Sequence, residues 1–177
     1  EIGVFKGASL KMWSSYFPNA KIVGIDIDPR AAKNMENSKI KADVHIGSQD
    51  DEVFLKSLVD QYGEFGIVLD DGSHINEMTL KTFEILNKHT TGFYVIEDLR
   101  NSYLDLTKYD TRKRWPGMKH NGDYEENNAK NRPDFDRVFL DLIREMDHRQ
   151  GIWTGFHFHQ QILILEKNNA GLNRPLG

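Results

Sequence analysis

Two short stretches concentrate groups able to do chemistry. Residues 65–77 read FGIVLDDGSHINE, an apolar run that stops at Asp70, Asp71 and His74; residues 92–98 read GFYVIED, a second apolar run that stops at Glu97 and Asp98. Charged groups of this kind cost energy to bury unless something pairs them. If the two runs are neighbouring strands, three or four carboxylates meet at one sheet edge. A divalent cation is the simplest way to relieve their repulsion, and all-oxygen ligation suits a hard ion such as magnesium. His74, three residues past Asp71, then sits where it can take a proton from a hydroxyl made more acidic by that cation. The plainer account of the same residues is a polar turn, separate solvated strand ends and a capping histidine.

Other strand ends carry a second set of groups. EIGVFKG has Gly3 and Gly7 between a strand and a helix, where glycine lets the backbone approach a ligand and leaves helix N-terminal amides free. The stretch lacks both the G-x-G-x-x-G of dinucleotide folds and the phosphate loop of triphosphate folds. Asp26 closes the next strand, about 20 residues past the glycines, where an acid accepts from ribose hydroxyls in nucleoside-binding sheets. Gln49 and Asp50 follow a third strand, at the rim where an adenine would lie; helix capping by Ser48 or Asp50 accounts for them equally well. Tyr103, Trp115 and Tyr124 are candidates for stacking on a sugar or aromatic acceptor, or for a small local cluster. His157 and His159 alternate on one strand face with no third ligand nearby, and an ordinary strand face is the favoured reading.

The elements that must position these groups alternate along the chain. Strands are expected at 1–5, 21–28, 42–47, 65–70 and 92–97, with helices from residue 6 to Phe17, from Pro29 to about Lys39, over 50–62 and over 76–89. Such alternation implies a parallel sheet covered by helices on both faces, with ligands gathering beyond the carboxyl ends of the strands. Residues 100–132 break the rhythm with a long polar connection. A helix over 133–148 follows, with Phe135, Val138, Phe139, Leu142 and Met146 as its buried stripe. GIWTGFHFHQQILILEKN then reads as an antiparallel hairpin at the sheet edge. The fold class expected is α/β, Rossmann-like and doubly wound, with a mostly parallel seven-stranded sheet ending in that hairpin.

Bulk properties narrow the classes. With 177 residues, 38% hydrophobic and 11% aromatic content, the chain suits one globular domain, 1–177. No apolar run approaches the roughly 20 residues of a membrane span, so a soluble protein is expected. The net charge of −4, without a long basic run, argues against nucleic acid as a main partner. Cysteine is absent, which excludes disulfides and thiolate metal sites; with no signal peptide in view, a cytoplasmic location is expected. The chain opens at Glu1 inside a motif, so the domain is expected to be incomplete at its amino end.

Taken in order, EIGVFKG, GIDIDP, DDGSH, VIEDLRNSY and FHFHQQILILEK resemble class I S-adenosylmethionine-dependent methyltransferases. The likeness is to the metal-dependent sugar O-methyltransferases of macrolide biosynthesis, of the mycinamicin and macrocin type, and to the related cephalosporin hydroxylase family. It covers residues 1–103 and 152–167. The resemblance implies S-adenosylmethionine as methyl donor and Mg2+ or another divalent cation as cofactor. It implies metal ligation by Asp71, Glu97 and Asp98, with His74 as general base. Glu1, Gly3, Gly7, Asp26, Gln49, Asp50 and Asp70 would form the donor site. The implied partner is a small-molecule acceptor with a sugar or vicinal diol hydroxyl; the 100–132 segment, which the likeness does not cover past residue 103, is expected to choose it; no nucleic acid or membrane is implied, and a homo-oligomer is compatible with it. Two other classes stay open: a metal-dependent oxygenase of the hydroxylase type, and a non-catalytic donor-binding domain.

Overall fold

The computed structural model describes residues 1–36, 40–108 and 124–167. Its order is α1 (Ala8–Tyr16), β1 (Ile22–Asp26), α2 (Pro29–Glu36), β2 (Ala42–Ile46), α3 (Glu52–Tyr62), β3 (Phe65–Asp70), α4 (Asn76–Leu86), β4 (Thr90–Ile96), α5 (Asn128–Asp147), β5 (Gly155–His159) and β6 (Ile162–Glu166). Short 3-10 turns at Asn87–His89, Leu99–Tyr103 and Leu106–Lys108 join them. Each α/β step follows from its sequence. Runs rich in Val, Ile and Phe form the strands, and intervening segments with apolar residues at helical spacing fold back over them.

Among the described residues, six strands form two sheets, not the single seven-stranded sheet expected. β1 and β2 pair in parallel; the larger sheet runs β3-β4-β6-β5, with β3 and β4 parallel and β6 antiparallel to both β4 and β5. The segment expected as a first strand is reduced to a bridge, in which Ile2 pairs with Ile25 of β1 and with Asp70 of β3. The physical reason is local: Gly3 takes φ 90° and Phe5 φ 52°, so the chain leaves the extended conformation directly after Ile2. Hydrogen bonds from Ile2 N to Leu69 O (2.8 Å), Gly3 N to Ile25 O (2.9 Å) and Asp71 N to Ile2 O (3.0 Å) nevertheless lace the two sheets together at this point.

The main core lies on one side of the larger sheet. Leu55 and Leu58 of α3, Phe83 and Leu86 of α4, and Phe135 and Phe139 of α5 pack with Val68, Tyr94, Ile96, Leu163, Leu165 and Trp153. A smaller cluster, Val4, Leu10, Ala31 and Met35, seats α1 and α2 beside β1 and β2. The expected cover on both faces is not complete among the described residues: Ile67 and Phe93, paired across β3 and β4, are exposed. Their continuous apolar runs read as doubly buried, yet burial here falls on alternate residues, Val68 and Asp70, Tyr94 and Ile96.

Helix α5 begins five residues before Pro133, which lies inside it, so the expected start at residue 133 is corrected. Proline lacks the N–H for the interior ladder; the extra turn is secured instead by tertiary bonds to Asn128, described below. Its stripe is as expected, with Phe135 and Phe139 buried and Val138, Leu142 and Met146 packed against the core. Residues 109–123, including Trp115 and His120, and residues 37–39, where the second helix was expected to end, lie outside the described residues.

Candidate active site at the carboxyl ends of the strands

Asp26, at the tip of β1, organises the glycine loop. Its Oδ2 accepts the backbone N–H of Val4 (3.0 Å) and Phe5 (2.8 Å), while Oδ1 accepts that of Asp28 (2.8 Å). An ionised acceptor of several amides makes strong bonds, so the acid holds the loop shape itself. At Gly3, φ 90°, an added Cβ would lie 2.1 Å from the carbonyl oxygen of Asp71, so only glycine lets the loop pass this strand end. Gly7, φ 77°, is the N-cap of α1 and supplies no side-chain cap to its first turn. Glu1 is turned towards α1, where its carboxylate accepts from Ser9 Oγ and from Trp13 Nε1 (2.8 Å).

Gln49 and Asp50 are buried between strand ends. Gln49 Nε2 donates to both carboxylate oxygens of Asp70 (3.3 Å each) and to Thr82 Oγ1 (3.1 Å), and its Oε1 accepts Ser73 N (2.6 Å). It therefore buttresses the turn that carries Asp71 and His74. Asp50 accepts from Ser48 Oγ and from Tyr124 Oη (2.7 Å). Burial raises its pKa, but those bonds outweigh it and hold the carboxyl below its usual range. Neither Ser48 nor Asp50 caps α3: Asp51 does, accepting Phe54 N at 3.0 Å. Tyr124 thus joins the polar set through its hydroxyl, and the ring of Tyr103 carries the Arg132 guanidinium 3.9 Å above it.

The acidic tips of β3 and β4 do meet. Among the described residues, Asp71, His74 and Asp98 each offer one ligand atom, all within 4.8 Å of one another. His74 Nε2 is 3.9 Å from Asp71 Oδ1 and 3.8 Å from Asp98 Oδ2, close but beyond hydrogen-bond length. Glu97, assigned to the metal by resemblance, is not in this trio; its backbone N–H donates to Asp70 O (2.9 Å), and its charge still acts on Asp71. Burial, then Glu97, Asp98 and Glu1, push the Asp71 carboxyl up to about 7. Burial also pushes Asp70 up to about 7, and burial, Asp98 and Glu1 raise Glu97. His74 is lowered by burial, against the pull of Asp98. Burial is the first cause of every one of these shifts, and like charge adds to it at Asp71 and Glu97; a cation would relieve that repulsion, so the carboxylates fit a divalent ion. The cluster contains one histidine, unlike the two-histidine, one-carboxylate set of iron oxygenases. His157 lies elsewhere, 3.5 Å from Glu166 on the hairpin.

Sequence reasoning missed the group that ties these tips together. Asn128, fully buried at the first residue of α5, donates from Nδ2 to His74 O (2.7 Å) and Asn101 O (2.9 Å), and its Oδ1 accepts Asn76 N (2.9 Å). Asn76 Nδ2 in turn donates to Ser102 O (3.1 Å) and Asn128 O (3.2 Å). The only signal in the sequence is an Asn-rich run, 127–131, that resembles a helix start.

The mixed α/β layer, with a glycine turn at one strand end and an acid–imidazole cluster beside it, has the fold of class I S-adenosylmethionine methyltransferases, as its similarity to solved structures of that class shows. No protein-family model matches the chain. Its homologues are sugar O-methyltransferases. It is 39% identical over 114 residues to the L-olivosyl-oleandolide 3-O-methyltransferase of Streptomyces antibioticus, 63% of this chain and 25% of that protein. It is 37% identical over 122 residues to the mycinamicin VI 2''-O-methyltransferase of Micromonospora griseorubida, 68% of this chain and 27% of that protein. Among solved structures it is similar to the MycE methyltransferase of the mycinamycin pathway in complex with Mg, SAH and mycinamycin VI, with TM-score 0.66 and 30% identity over 93% of this chain and 41% of that one. The chain thus spans about a quarter of the length of these curated relatives.

Proposed function

We propose that this chain is a single catalytic domain transferring a methyl group from S-adenosylmethionine to a hydroxyl of a sugar, or another vicinal diol, on a natural product, with a divalent cation required. The observation that carries the reading is the convergence of Asp71, His74 and Asp98 within 4.8 Å, with Asp71 one residue beyond β3, whose last residue, Asp70, pairs with Ile2. Asp71 and Asp98, with Glu97 beside them, would hold the cation. Bound there, the cation would lower the pKa of a chelated hydroxyl and the donor would supply the methyl. A hard cation prefers oxygen, which leaves the His74 imidazole free as the base.

Each residue then has a task. His74 Nε2, kept neutral by burial, takes the hydroxyl proton. The Gly3 and Gly7 turn, clamped by Asp26, forms the donor cradle, with Glu1, Gln49, Asp50 and Asp70 around it. Well-oriented reactants gain on the order of 7–11 kcal/mol, so rigid loops supply much of the rate. The segment 100–132 selects the acceptor. Similarity to enzymes named for methylating oleandolide- and mycinamicin-borne sugars supports a glycosylated natural product as that acceptor.

The test is calorimetry with the demethylated donor product and Mg2+, followed by His74→Ala. The variant is expected to keep donor-product affinity and lose roughly 10²–10⁴ in turnover, the range of a general base. A variant that loses affinity and keeps its rate would reverse the roles. Donor binding without any transfer, across diol acceptors, would point to a non-catalytic domain.

A further inference from the structure

Two residues of the cluster hold backbone conformations that ordinary side chains disfavour. His74 has φ 58° and Asp98 φ 55°, on two different loops whose side chains approach to 3.8 Å. Left-handed residues other than glycine persist only where surrounding contacts over-determine them. The contacts here come from a third element. Asn128 Nδ2 donates to the carbonyl of His74 itself and to that of Asn101, whose own N–H donates to Asp98 O at 2.8 Å. One side-chain amide thus grips both loops.

The same side chain completes a helix end. Ile75 is the N-cap of α4 and contributes no side-chain bond, so the Asn76 N–H, orphaned at the helix start, is satisfied by Asn128 Oδ1 at 2.9 Å. Each polar atom of the Asn128 amide has a partner, in a site without solvent exposure. A buried amide bonded on all sides is costly to disturb, and its bonds all end on the segments flanking His74 and Asp98. On the far side, the hairpin tip adds a brace, Leu99 N to Gln161 O at 3.0 Å.

We infer that Asn128 is a positioning residue for the metal-binding cluster, locking the His74 and Asp98 loops into one geometry through their backbone carbonyls. The inference rests on the reading of Asp71 and Asp98 as cation-holding carboxylates. It accounts for why α5 starts before its proline: the extra turn carries the clamp. Outer groups that orient ligands typically change metal affinity or activity by 10- to 100-fold when removed.

The experiment measures Mg2+ affinity and donor-product affinity separately, by calorimetry on the full chain. Asn128→Asp keeps the acceptor for Asn76 and loses both donated bonds; Asn128→Ala loses all three. Both are expected to weaken Mg2+ binding about tenfold or more while donor-product affinity stays within about twofold. Mg2+ affinity unchanged in both variants, or donor-product affinity falling in step with it, overturns the inference and leaves Asn128 a plain structural amide. Wild type that binds no Mg2+ sinks the metal reading itself, a separate outcome. If neither variant folds, hydrogen exchange on wild type decides. Mg2+ should slow the amides of 71–76, 97–103 and the start of α5 together; slowing confined to 71–76 overturns the clamp.

Discussion

Nε2 of His74 lies 3.8 Å from Oδ2 of Asp98, and the two residues come from loops that follow adjacent parallel strands. That pairing sets the proposed base beside an acid, at a distance too long for a direct hydrogen bond. The structural consequences can be tested one at a time.

With the cation removed by a chelator, charge in this cluster should destabilise the chain as pH rises. Asp70 and Asp71 are both pushed up to about 7, by burial first in each case, against about 3.9 for an unfolded aspartate. Between roughly pH 4 and 7 the folded state binds more protons, so their contribution to stability is full below about pH 4 and is lost as pH rises through about 7. Thermal unfolding with a chelator and with Mg2+ should show a larger Mg2+ gain at pH 8 than at pH 5. Asp71→Asn should raise the Tm of the metal-free chain at pH 8 and shrink that gain; a larger gain at pH 5 would contradict the assignment.

His74 should be active as a base in neutral solution. Burial lowers its pKa, partly opposed by Asp98, and a nearby cation acts in the same direction as burial. At saturating Mg2+ the acid limb of kcat/KM is expected below the ordinary histidine value of about 6.5. A limb well above that value would mean that another group carries the proton.

Asp26→Ala should act on the donor. It removes the acceptor for Val4 and Phe5 amides, and bonds to a charged group contribute about 1.5–3 kcal/mol each. Affinity for the demethylated donor product should fall by at least about tenfold, with Mg2+ affinity little changed. Equal losses of both would show that the loop is not an independent donor cradle.

Gly3→Ala should disturb both halves of the site. Its Cβ would overlap the Asp71 carbonyl at 2.1 Å, in a backbone conformation of φ 90°. Strain of this kind costs of order 1–3 kcal/mol, and relief requires moving the turn that carries Asp71. A Tm drop together with weaker donor-product and Mg2+ binding is expected; unchanged Mg2+ affinity would mean that Asp71 does not hold the ion through this turn.

Much was legible in the residues alone, because local physics decides it. Apolar runs such as FGIVLD and GFYVIE, short, rich in Val, Ile and aromatics and bounded by turn residues, read as strands, and the acids that end them must emerge at one sheet edge if those strands are parallel neighbours. By that reasoning Asp26, Asp71, His74 and Asp98 all fall at carboxyl ends of strands, where the structure has them. Tertiary structure decided what depends on partners distant in the chain. Ile2 is a bridge and not a strand, because two positive φ values beside it turn the backbone away. Asp51, not its neighbours, caps α3. Gln49 and Asp50 face Asp70, Thr82 and Tyr124. Asn128 grips His74 across 54 residues of sequence. Hydrophobic periodicity reports which face of an element is buried; it carries no information about which polar atom, far along the chain, arrives to satisfy an exposed carbonyl, since that is settled only when the helices dock.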